Sequence, residues 1–300
     1  MRYTARVFEL FFGLSLNVAL SETSAAVNWP DGYVVYTNTA SPDGRYGVLV
    51  PTMEAWEQDE SLSEANYLAD IKNRRVLGKI DKVDYFEDQN HRGLEVFWAP
   101  QSSVCVVEND GRYGADSISI LEINDSSFAQ IEIGDRIQKS LDGAMKKQAH
   151  APEIAGDVSP YFRFGTDRKV RVRALSQNNP KQFEDVKTYY ALFQGTFDVV
   201  AKKWIVTDAR SISAEQDDAL TTAYSDLEHT TFQNEEDKAE SLDQTMNKVY
   251  RAAQFILPPA RFAAVKREQI EWLKKRNAAS STDEKCKLMG ARIKVLQELV

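Results

Sequence analysis

The chain is poor in the residues that build metal or covalent sites. It holds two cysteines, Cys105 and Cys286, and three histidines, His91, His150 and His229, among 300 residues. No CxxC, HxxxH or HExxH spacing occurs, so no metal site is expected. The GxSxG, P-loop and GxGxxG fingerprints are missing as well, which leaves no expected catalytic residue and no expected cofactor. Positive charge is in deficit, with a formal net charge of -8. That balance argues against nucleic-acid binding, which needs a basic footprint on the phosphates, and is compatible with a basic protein partner. No apolar run is long enough for a stable membrane span. From 211 to 300 the only glycine is Gly290, so that stretch lacks the turn chemistry of a β structure.

What is present begins with an export signal. MRYTAR carries two bases and no acid, VFELFFGLSLNVAL is mostly apolar, and SETSAA ends in small residues. Residues 1–26 therefore read as a signal peptide, cleaved after Ala26, with Glu9 out of place in its apolar part. Export implies a periplasmic or extracellular location. In that setting Cys105 and Cys286 either pair or remain two separately buried thiols.

The remainder divides into a β-rich unit, 27–208, and an α-helical unit, 211–300. Three turn-plus-strand stretches recur in the first: SPDGRYGVLVP (41–51), FWAPQSSVCVVEND (97–110) and YFRFGTDRKVRVRAL (161–175). A hairpin-like pair follows each, joined at 72–75, 124–127 and 201–202. The turns resemble those of β-propeller blades, and three such units predict an antiparallel β-meander domain, partial propeller-like or sandwich-like. Residues 53–66 read as an acidic loop or short helix, and 133–150 as a helix with Ile137, Leu141, Ala144 and Met145 on one face. Arg168, Lys169, Arg171 and Arg173 read as the wet, charged face of an edge strand.

Four helices are predicted in the second unit. Ser213 caps the first, with Leu220, Tyr224, Leu227 and Thr231 on its apolar face. The second carries Ala239, Leu242, Met246, Val249, Ala253 and Ile256, and ends at Pro258-Pro259. The third aligns Phe262, Val265, Gln269, Trp272 and Arg276, which places Trp272 in the core. Ser281 and Glu284 form a capping box for the fourth, whose stripe is Cys286, Met289, Ile293, Leu296 and Val300. Residues 206–245 hold eleven acids and two bases, and 260–300 hold ten bases and five acids. An acidic helix pair docked beside a basic pair is the expected result. The fold class is thus α+β, a β-meander domain followed by an antiparallel helical bundle.

The helical segment resembles the lysozyme inhibitor LprI-like family of exported bacterial domains. Asn247 and Tyr250, with Met246 for the family's Leu, stand for its LN-x-x-Y helix. Gln269, Trp272, Leu273 and Arg276 match Q-x-x-W-L-x-x-R, and Cys286, Arg292 and Leu296 approximate its Cys-bearing helix. Ala278, Ala279 and Ser280 stand where the family carries a Cys, so helix packing rather than a disulfide framework must hold this segment. The resemblance implies an exported binding protein of the bacterial envelope, a lysozyme-inhibitor-like module with a basic partner such as lysozyme, and no catalysis. Two other classes are a hydrolase with a site in the β domain and a purely structural assembly module.

Overall fold

A computed structural model describes residues 29–151, 153–178, 187–225 and 234–300. The expected signal peptide and its cleavage site lie outside the described residues, as do Leu227 and Thr231. The β-rich stretch folds as three four-stranded antiparallel meanders. The first is β1 (Tyr33–Val35), β2 (Tyr46–Pro51), β3 (Tyr67–Asp70) and β4 (Arg75–Lys79), paired in chain order. The second is β5 (Gly93–Trp98), β6 (Val104–Gly111), β7 (Gly114–Ile123) and β8 (Phe128–Glu132), and the third is β9 (Gly156–Phe164), β10 (Lys169–Asn178), β11 (Tyr190–Asp198) and β12 (Lys203–Ile212). The turn feeding β2 shows why these units close locally. Ser41 Oγ accepts from the Tyr46 amide at 2.9 Å, and the Gly44 amide donates to the Ser41 carbonyl at 2.8 Å. Gly44 holds φ at 66°, a left-handed value that costs glycine little.

Alternation then decides which sheet packs on which. Val48, Val50 and Leu68 meet Leu94, Cys105, Val107 and Leu121 between the first two sheets. On the opposite face of the second sheet, Val104, Val106 and Ile120 meet Val172, Ala174 and Phe193 of the third. Between 53 and 66 lie α1 (Met53–Gln58) and a 3-10 turn over Glu60–Glu64. The core shared by the second and third sheets also receives α2 (Gly134–Ala149) through Ile137, Leu141 and Met145, each fully buried. Burying one such side chain stabilises the fold by about 1.5–3 kcal/mol.

The outer face of the third sheet is covered by helices. α3 (Ala214–Tyr224), α4 (Glu235–Ile256), α5 (Pro259–Asn277) and α6 (Thr282–Leu299) form a bundle. Leu175, Leu192 and Ile212 of the sheet join Leu220, Met246, Val249, Ile293 and Leu296 in a single core. The chain is therefore α+β in two parts, with the last sheet serving as the platform for the bundle. No helix among the described residues is long and apolar enough to cross a membrane.

Three local expectations need correction, and a fourth holds. β10 lies between β9 and β11, so its basic residues do not sit on an edge strand. Alternation still puts Arg171 and Arg173 on one face, but that face also carries Leu175 and meets the helices. Trp272 is only half-buried, because α5 leans on α4 and α6 mainly through Val265 and Gln269. In the α6 cap, Ser281 Oγ accepts from the Glu284 amide, but the Glu284 carboxylate accepts from Ser280 instead, at 2.8 Å from its amide and 2.9 Å from its hydroxyl. The acidic pair does dock beside the basic pair, with α4 packed on α5 and α6. Arg276–Asp243 joins α5 to α4, while Lys248–Asp218 and Arg251–Glu215 tie α4 to α3, and Arg292–Glu268 ties α6 to α5.

Candidate functional site

Helical spacing brings most of the motif residues to one groove. On α4, Asp243, Met246, Asn247 and Tyr250 recur at intervals of three and four, which aligns them on one face. On α5, Lys266, Gln269, Ile270, Leu273 and Arg276 do the same. The two rows line a cavity of about 280 Å³. Its floor is Met246 and Gln269, both buried, and Tyr250 forms part of a wall with its ring 5.3 Å from that of Phe262. Arg276 closes one end by pairing with Asp243, and its guanidinium lies 5.5 Å from the centre of the Trp272 ring. Asn247 donates to Asp243 at 3.3 Å.

Gln269 is the hinge between this groove and α6. Its Nε2 lies 3.4 Å from Met246 Sδ, and its Oε1 accepts from Arg292 Nε at 2.9 Å. Arg292 is 8% exposed, yet it reaches Glu268 at 3.5 Å through Nη1 and leaves Nη2 without a hydrogen bond among the described residues. A charged group taken this far from water depends on each remaining partner. Burial pushes the Tyr250 hydroxyl pKa up, and Arg292 opposes the shift.

Asn247, Tyr250, Gln269, Leu273 and Arg276 thus share the groove, Trp272 stacks at its end, and Arg292 supports it from behind. Cys286 is not part of it. Its sulfur is 4.0 Å from the Glu235 carbonyl at the start of α4, about 18 Å along the helix from Asn247 at 1.5 Å per residue. Cys105 is buried between the first and second sheets, so the two thiols are free and occupy separate cores. Burial raises the pKa of both, which keeps them protonated and unreactive. The groove thus sets amide, phenol, guanidinium and carboxylate groups around Met246 and Gln269.

One polar cluster was missed at the sequence level. Glu95 of β5 is the cross-strand neighbour of Glu108 on β6. Glu108 is 6% exposed, and burial together with Asp110 pushes its carboxyl up to about 10, so it stays protonated and donates to Asp110. The signal was legible: in VVENDG, strand alternation continues the inward row from Val106 to Glu108. No family model, curated protein or solved structure matches the chain.

Proposed function

We propose that this chain is an exported, non-catalytic binding protein of the bacterial envelope whose helical part engages a basic protein of the lysozyme type. The observation that carries the reading is the acidic surface of α3 and the first half of α4. Glu236, Asp237 and Glu240 are exposed, as are Glu215, Asp218 and Glu235, which pair with Arg251, Lys248 and Lys238 of α4. The basic helices quench this field only in part: Arg276 pairs with Asp243 of α4, while Lys274–Glu271, Lys287–Asp283 and Arg292–Glu268 lie within α5 and α6. An open field of one sign speeds encounter with a partner of the other sign, and the α4–α5 groove supplies an adjacent place for an anchoring side chain.

The test uses the chain from Val27 onward. Basic lysozyme is mixed with it in a bacterial lysis assay, and binding is measured at low and high salt. Protection at micromolar protein is expected, with affinity falling as salt rises. Replacing Glu236 and Glu240 by their amides should slow association while the helical circular dichroism is retained, with at most a small fall in melting temperature from the first-turn charge of Glu236. Full lysis together with no salt-sensitive binding would reject the reading.

A further inference from the structure

The strongest unassigned feature is the uncovered end of the third sheet. On its helix-facing side, Arg171 of β10 is the direct cross-strand partner of Arg163 on β9, and Arg173 is the direct partner of Tyr161. Like charges placed directly opposite each other in a sheet are destabilising. Here the cost is raised by burial: Arg163 is half-buried, and desolvation, Arg173 and Arg171 together hold its pKa below the usual guanidinium range. Among the described residues neither Arg163 nor Arg171 forms an ion pair, whereas the neighbouring Arg168 pairs with Glu122 at 2.6 Å. The outer base is thus paired, while Arg163 and Arg171 are not, although Glu298 of α6 and Tyr224 act favourably on Arg163 from a distance.

The three guanidinium groups border a cavity of about 320 Å³. Its aromatic walls come from Phe97, Tyr161 and Tyr224. The Tyr161 and Tyr224 rings lie 4.5 Å apart, and Arg173 is held against Tyr224, donating to its hydroxyl at 3.4 Å. Glu95 also lines the cavity, and burial and Asp110 raise its pKa. The volume is at the small end of ligand pockets, enough for one ring and not for a nucleotide pair.

We propose that Arg163, Arg171 and Arg173, with the walls of Phe97, Tyr161 and Tyr224, form a binding cleft for a small organic anion. A carboxylate or phosphate is held by the planar guanidinium forks, which match such groups bidentately, and an aromatic or short apolar body lies against the rings. This site is distinct from the α4–α5 groove and does not depend on it.

Calorimetric titration of the full chain with phenyl phosphate, benzoate, inorganic phosphate and phenol tests the assignment. Phenyl phosphate or benzoate should saturate a single site, and whichever binds more tightly identifies the anionic group. Inorganic phosphate, which lacks the body, and phenol, which lacks the charge, should each bind at least about tenfold more weakly, a difference of about 1.4 kcal/mol. Arg171→Gln, at an exposed position, should lose about tenfold in affinity at an unchanged melting temperature. Arg163→Gln should lose as much, but it is more deeply placed, so Arg171→Gln decides the matter if Arg163→Gln does not fold. Absence of saturation by both organic anions up to about 10 mM, phenol binding as tightly as phenyl phosphate, or unchanged affinity in Arg171→Gln would each overturn the proposal.

Discussion

Gln269 sits where α5 meets both α4 and α6, and its amide is engaged at each end, by Met246 and by Arg292. Gln269→Ala leaves a buried guanidinium that already has one unpaired nitrogen with one partner fewer. The expected loss is about 3 kcal/mol, the scale of an unsatisfied buried charged donor. Trp272→Ala removes a half-buried ring and should cost only about 1–2 kcal/mol, less than the loss for emptying a full core site. Urea unfolding of both variants checks the ranking, and a larger loss in Trp272→Ala would contradict it. Glu108 gives a second prediction at this scale. Its folded pKa is raised from 4.5 to about 10, so the folded state keeps a proton that the unfolded chain releases. Stability therefore falls as pH rises through that window, by up to about 3 kcal/mol at pH 7. Glu108→Gln keeps the neutral, hydrogen-bonding form and should raise the melting temperature more at pH 8 than at pH 5. Parallel pH curves for the variant and the parent would show that Glu108 does not titrate abnormally.

At the scale of elements, helix ends in this chain are set by local chemistry. Ser213 Oγ accepts from the Gln216 amide at 3.2 Å while Gln216 Oε1 accepts from the Ser213 amide at 2.9 Å, a complete capping box on α3. Ser213→Ala should cost about 1 kcal/mol and speed amide exchange first in the opening turn of α3. Uniform exchange across the bundle would mean that the cap matters less than packing does. The Pro258-Pro259 pair works in the same local way, since Pro259 occupies the first helical turn of α5, where no amide donor is needed. β10 is an element of another kind. Its alternation of valine and arginine says that its two faces differ, and says nothing of what lies on either side. The sheet neighbours β9 and β11 give it an interior position, and α3 turns part of its charged face into the wall of a cleft.

Across the whole molecule, the two parts hold together through the outer face of the third sheet. Leu175, Leu192 and Ile212 are buried only because the helices lie over them. A chain ending at Ile212 would present that face to water, a contiguous apolar patch of the kind that drives association. Expressed alone, residues 29–212 should aggregate or bind a hydrophobic dye strongly. A monomeric, cooperatively melting fragment would show that the β part does not need the bundle.

The boundary between legible and illegible follows from range. Strand alternation, helical stripes, caps and prolines are interactions between residues within a few positions of each other. They made the three meanders, α2 and the helices α3 to α6 readable, including the row from Cys286 to Val300 and the groove-forming spacing of Asn247, Tyr250, Gln269, Leu273 and Arg276. Burial depth at Trp272, the separate cores of Cys105 and Cys286, the loss of water at Glu108 and the meeting of Arg163 with Arg171 depend on which surfaces come to lie against each other. By itself the sequence determined the period and the ends of the elements, because those follow from backbone geometry and nearby hydrogen bonds. Only the tertiary structure decided which charges lost their water and which kept it, because desolvation is set by neighbours far away along the chain.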